Sequence, residues 1–206
     1  MSLTVWLGFL VAAILIAVTP GPGMAASVST GLRHGYRSAL TLILGLQTAF
    51  AIHLAIVAVG FGTLLATSET AFNLVKFCGA AYLVWLGVQK WRERPAAIDL
   101  RVEPGGRRGL FLQGLLVNLS NPKAIVFIAA LVPQFVDPAA AQAPQYLLIA
   151  LTLCLVDILT MSACALAASR LGRWLHDPQA MQLQNRLFGG VFVAAGTALA
   201  LSARPH

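Results

Sequence analysis

A chain of 206 residues that is 58% hydrophobic and only 10% charged, with a mean hydropathy of +0.80, carries too little polar surface for an ordinary water-soluble domain. Its formal net charge of +7 is of the sign a nucleic-acid partner needs, but the basic residues lie in short segments between apolar runs, which is the positive-inside pattern of a membrane protein and excludes that reading. Cys78, Cys154 and Cys164 all fall within apolar runs without a Cys or His at metal-ligand spacing. They predict small buried hydrophobes, with no disulfide framework and no metal.

Six apolar runs near the ~20 residues of a membrane helix follow one another along the chain. The first covers residues 3–29. It has no Lys or Arg ahead of it, so it lacks the charged start of a cleaved signal peptide and is expected to stay as a span. Thr19, Pro20, Gly21, Pro22 and Gly23 interrupt it. Two prolines remove two backbone donors and leave the carbonyls of Ile16 and Val18 without helical partners, while two glycines loosen the backbone. Irregular backbone survives in a bilayer only where protein covers it or water lines it, so a broken, cavity-lining helix is predicted rather than a simple kink.

The second run covers 38–65 and the third 72–91. A polar segment at 92–108 separates a first half, 1–91, from a second half, 109–206, of one membrane domain. The fourth run, 109–136, is also interrupted, at Asn118, Leu119, Ser120, Asn121, Pro122 and Lys123. The fifth covers 145–168 and the sixth 187–201. Basic residues cluster near 30–37, 90–109 and 169–186, whereas the other two connections carry Glu69 and Asp137 and no Lys or Arg. Those three clusters are predicted to be cytoplasmic and both termini external, with Trp91 and Trp174 as interfacial aromatics. Three spans per half reverse the entry side of the second half. The expected fold class is therefore an all-α polytopic membrane protein, a 3+3 inverted repeat with broken helices 1 and 4, and corresponding breaks point to a midplane binding site.

Within the fourth run, Pro122 cannot donate to the Asn118 carbonyl, so that carbonyl and the amides of Asn118 and Asn121 form a local polar group. Lys123 lies mid-span, where an ammonium needs a partner, a cavity or a substrate carboxylate. Asp157 is the acidic residue placed well inside a span; it is neutralised either by taking up a proton or by a cation such as Lys123. It is the candidate for carrying a coupling proton or meeting a substrate amino group, against a purely structural pair with Lys123. Gln47 is a further candidate for the substrate site, with interhelical glue as its alternative. His53 reads more readily as a packing histidine than as a proton relay. Asn73 and Lys76 are expected to reach the outer interface, and Gly79, Gly189, Gly190 and Gly196 to serve helix packing. There is no hydrolase triad, no phosphate-binding glycine loop and no metal or cofactor motif, so neither an ATP-driven pump nor an enzyme is expected.

Three blocks together resemble the LysE/RhtB family of amino-acid exporters, nearest its homoserine/threonine branch. They are Thr19–Gly23 with Gly31, Leu32, Arg33, His34, Gly35 and Gly45; then Gly79-Ala80-Ala81-Tyr82-Leu83-Val84-Trp85-Leu86-Gly87; then Gly114 to Asn118 through Asn121, Pro122 and Lys123 to Pro133, Gln134 and Phe135. The resemblance implies a small secondary transporter of the bacterial inner membrane, exporting threonine, homoserine, homoserine lactone or other neutral amino acids by proton exchange. Its partners would be the amino acid, protons and the lipid bilayer, with a homodimer compatible. An exporter of lysine or arginine is the nearest alternative, and a membrane channel or a non-transporting membrane protein the alternative from another class.

Overall fold

Residues without a donor or without a side chain cut two of the six apolar runs into pieces. The computed structural model describes residues 1–19, 21–67, 69–92, 106–137, 139–175 and 178–201. Helix α1, Leu3–Val18, starts at Ser2, whose hydroxyl accepts from the Val5 N–H, and stops at Thr19, whose backbone is extended. Helix α2, Pro22–His34, begins with proline in its first turn and ends at Gly35, where φ is 76°, a left-handed conformation natural to glycine. The axes of α1 and α2 differ by 56°. Pro20, between them, lies outside the described residues.

The long helices α3, Tyr36–Thr67, and α4, Glu69–Arg92, complete the first half. The second half opens with α5, Arg107–Leu119, and α6, Pro122–Val126, continues through a π-helical turn at Phe127–Leu131 and a 3₁₀ turn at Val132–Phe135, and closes with α7, Gln142–Leu175, and α8, Pro178–Leu201. Proline again sets the second break: α5 and the segment Pro122–Phe135 also meet at 56°. Among the described residues there are no strands. Tyr36–Gly60 and Gln142–Ala167 are each long and apolar enough to cross a bilayer, and each bent pair reaches that length and apolarity when its two pieces are counted together.

The outer face is apolar, unlike that of a soluble bundle, and a group of polar residues is buried among the apolar core. Leu147, Leu151, Leu155 and Leu159 recur every fourth residue along the exposed side of α7, while Gln145, Thr152, Asp157 and Ser162 are buried on its other side. Glycines bring the helices together. Gly87 on α4 and Gly189 on α8 each abut the other's carbonyl, and Gly196 abuts that of Ala80, so α4 and α8 run antiparallel at backbone contact. A Cβ at Gly45 or Gly114 would overlap the Phe111 or Leu42 carbonyl, so α3 and α5 are equally close. Helix α1–α2 runs parallel to α7: Trp6 Nε1 donates to Thr152 Oγ1 at 3.1 Å near one end and Gly31 abuts Ala165 near the other.

Several helices overrun the predicted spans: α4 starts at Glu69 rather than 72, α7 continues to Leu175 rather than 168, and α8 starts at Pro178 rather than 187. Hydropathy reads only the part of a helix that matches lipid, whereas Gln, Asn and Arg extend a helix into the headgroups without cost to its backbone bonds. Cys78 is exposed on the outer face, not buried as expected, because α4 turns that side away from α8; Cys154 and Cys164 are half-buried. Trp91 is exposed at the end of α4. The side chains of Asn73, Lys76 and Trp174 and most of the 92–108 segment lie outside the described residues.

Candidate functional site

The two breaks meet. With a proline at position 20, Ile16 O has no helical donor, and the extended backbone at Thr19 turns its own carbonyl out of the helix. Both oxygens accept from the ammonium of Lys123, at 2.8 Å from Ile16 O and 2.7 Å from Thr19 O. Ile16 is one of the two carbonyls expected to be freed; Thr19 O joins it as an acceptor because the chain leaves the helix there. Thr19 Oγ1 folds back onto Leu15 O at 2.6 Å.

The second break holds Lys123 in place. Asn121 caps α6, its Oδ1 accepting from the Lys123 N–H at 3.1 Å, and its Nδ2 donates to Asn118 Oδ1 at 3.3 Å. Asn118 Nδ2 donates in turn to the Leu46 carbonyl of α3 at 2.9 Å. The Asn118 carbonyl, expected to stand open, accepts from the Asn121 N–H at 3.1 Å instead. Next to Leu46, the Gln47 amide donates to Asp157 Oδ2 at 2.5 Å. Adjacent residues of α3 thus hold α5 and α7, and a continuous set of polar contacts runs from Asp157 to the end of α1. Thr19, Gln47, Asn118, Asn121 and Asp157 are all buried.

These groups surround a cavity of about 20 Å³, room for roughly one water molecule. Thr19, Asn118, Asn121, Lys123 and Asp157 supply its polar wall, and Ile16, Met24, Phe50, Ala124 and Met161 its apolar wall, with the backbone of Gly21 and Gly23 between them. The charges of Lys123 and Asp157 act on each other across it. Helix α2 starts at this cavity without a side-chain cap, so the first-turn N–H groups of Gly23 and Met24 are offered there; α6, by contrast, is capped by its own Asn121.

A family model for LysE type translocators matches residues 14–203, a range that includes both breaks and Asp157. The chain belongs to the LysE type translocator family. It is 43% identical over 197 residues to a homoserine/homoserine lactone efflux protein of Salmonella typhimurium, covering 95% of each chain. It is 42% identical over 201 residues to an uncharacterized membrane protein of Vibrio cholerae, covering 97% of this chain and 98% of the relative. A leucine efflux protein of Klebsiella pneumoniae is 31% identical over 201 residues, 95% of this chain and 94% of the relative. No solved structure matches.

In this LysE type translocator, a multi-pass membrane protein, most residues singled out from sequence converge. Thr19, Gly21, Gly23, Asn118, Asn121, Lys123 and Asp157 all line the cavity. Gln47 stands behind Asp157 rather than in the wall. Pro22 and Pro122 occupy helix first turns and are exposed, so they shape the breaks without facing the cavity. His53 is half-buried against the Leu119 carbonyl, outside the cavity wall. Sequence reasoning missed the apolar wall, because Met24, Phe50 and Met161 look like any other apolar residue in a span. It also missed Ser27, Ser29 and Thr30, buried on α2; three hydroxyls within four residues of an apolar run are the signal that was there. Ser27 Oγ reaches Gly23 O at 2.8 Å and Met161 Sδ at 3.6 Å, and the hydroxyls of Ser29, Thr30 and Ser162 have no hydrogen-bond partner among the described residues. Among those residues no His, Cys, Asp or Glu cluster could hold a metal.

Proposed function

We propose that this protein is a secondary transporter that exports neutral amino acids and close derivatives across the bacterial cytoplasmic membrane. The observation that carries this reading is the crossing of the two breaks at a cavity lined by one ammonium and one carboxylate. Homoserine, its lactone and leucine, the compounds that the relatives' names give, share an ammonium on the α-carbon, while the lactone has no free carboxylate. Acceptors for an ammonium are therefore the common requirement, and the end of α1 and Asp157 supply them. The N–H groups at the start of α2 suit a carboxylate where the substrate has one. Lys123 beside the site disfavours a second positive charge, which argues against lysine or arginine as cargo. Asp157 takes up the coupling proton as the substrate leaves, and the substrate passes through chemically unchanged.

The halves 1–91 and 109–206 act as an inverted 3+3 repeat around a single site. The contact pattern supports this arrangement. Exchanging span one with four, two with five and three with six turns the α3–α5 contact into the α7–α1 contact and maps the α4–α8 contact onto itself. Gly87 and Gly189 abut each other reciprocally, as an axis between α4 and α8 requires.

Purified protein in liposomes, given labelled homoserine, leucine and lysine under an imposed pH gradient, tests the reading. Gradient-driven movement of homoserine or leucine, with little of lysine, is expected. Failure of every amino acid to move would reject export, and flux indifferent to the gradient would remove the proton from the scheme.

A further inference from the structure

The α1 side of the first break is built to hold an ammonium group. Ile16 O and Thr19 O converge on Lys123 Nζ at 2.8 and 2.7 Å. They stand at the C-terminal end of a helix, where the aligned peptide dipoles leave about half a negative charge. They also lie within an apolar run, where such oxygens left without a donor are costly. Carbonyl oxygens in this arrangement recognise an –NH₃⁺ group whatever carbon skeleton bears it.

We propose that Lys123 is a tethered stand-in for the substrate's ammonium. Its Nζ occupies the Ile16–Thr19 carbonyl site in the closed protein, and an incoming primary ammonium takes that site and releases the lysine. The inference rests on the exporter reading and deepens it by naming the atoms that receive the ammonium and the group that vacates them.

Three further features fit an exchange of this kind. The Lys123 backbone is fixed by Asn121 Oδ1, so only its side chain has to move. Asp157 lines the same cavity and attracts the released charge. Gly21 has no side chain, and a Cβ there would stand 3.6 Å from Nζ, so the wall beside the ammonium on this side is backbone. Because one ammonium replaces another, the carbonyls are never bare, and the latch between the breaks opens only for a molecule that brings an amino group. Selectivity for amino compounds and release of the closed state are then one event.

The test uses the full chain in lipid nanodiscs, with ethylammonium as a probe that has an amino group and no carboxylate. In the wild type the probe must displace Lys123; in Lys123→Met it meets a vacated site. Ethylammonium is expected to bind the variant about tenfold more tightly, since no internal competitor reduces the competent fraction. Equal or weaker binding would overturn the proposal. Should Lys123→Met fail to fold, Gly21→Cys in a background with Cys78, Cys154 and Cys164 replaced by alanine serves instead, as the extended backbone at Gly21 accepts any residue. Labelling of that thiol by a methanethiosulfonate reagent is expected to change several-fold when ethylammonium releases the neighbouring lysine, and an unchanged rate overturns the proposal. Homoserine transport without either ethylammonium response leaves export standing and removes the stand-in. An ethylammonium response without transport of any amino acid does the opposite.

Discussion

Gln47 on α3 and Asp157 on α7 share a buried hydrogen bond, amide to carboxylate, that joins two spans at the level of the breaks. Gln47→Leu removes the donor and leaves the carboxylate oxygen buried. The expected loss of stability is about 1–3 kcal/mol, with partial recovery when Asp157 is also changed to Leu. Thermal unfolding of the purified protein measures both. If the single change costs nothing, Asp157 is held by other donors.

Asp157→Asn separates the structural role of this position from the proposed proton role. The amide oxygen still accepts from Gln47, so the variant is expected to unfold at nearly the wild-type temperature. It has no exchangeable charge, so accumulation driven by a pH gradient should vanish while exchange of labelled for unlabelled amino acid persists. Parallel liposome assays with and without the gradient distinguish the two; full gradient-driven accumulation would show that the proton binds elsewhere.

Backbone contact between α4 and α8 leaves no room for even one methyl group. A Cβ at Gly189 would stand 2.6 Å from the Gly87 carbonyl and 2.9 Å from the Trp91 nitrogen. Gly189→Ala is expected to destabilise the protein by about 1–3 kcal/mol. At Gly109 nothing lies within 4 Å of the same added atom, and Gly109→Ala on α5 should instead stabilise by about 0.5–1 kcal/mol through helix propensity. Opposite shifts in unfolding temperature for two chemically identical changes are the signature.

Asn118 offers a sharper probe of the second break. Its Nδ2 donates to the Leu46 carbonyl, and Asn118→Asp would face an oxygen with an oxygen. Stability should fall by more than the roughly 1–3 kcal/mol of an unmet acceptor, and by more than in Asn118→Ala. Equal unfolding temperatures for the two variants would mean that Asn118 does not hold α5 against α3.

Much of this was legible in the residues themselves. Proline cannot donate and glycine cannot fill space, so both breaks follow directly from Pro20, Pro22 and Pro122. A buried charge must find a partner, so Lys123 and Asp157 stood out in their apolar context. The partners were harder to name. That Lys123 reaches Ile16 and Thr19 across the molecule, and that Asp157 takes its hydrogen bond from Gln47, depends on which helices pack together, and lone charges do not encode that. The apolar wall was hidden for another reason. In a membrane protein apolar residues face both lipid and cavity, so Met24 and Met161 carry no mark of the side they face. Helix ends failed in a third way, because hydropathy follows the lipid and not the hydrogen bonds that continue α7 and α8 beyond it.

The small volume of the cavity has an electrical consequence. A transporter spans a membrane that holds a voltage worth about 2.3 kcal/mol per elementary charge per 100 mV, and a continuous file of water through it would let ions run down that voltage. Here the cavity between the breaks, about 20 Å³, is bordered by a lysine side chain on the carbonyls of the opposite half. While it rests there, its positive charge repels metal cations and other positive ions, so the residue that ties the two breaks together also opposes an ion leak between them.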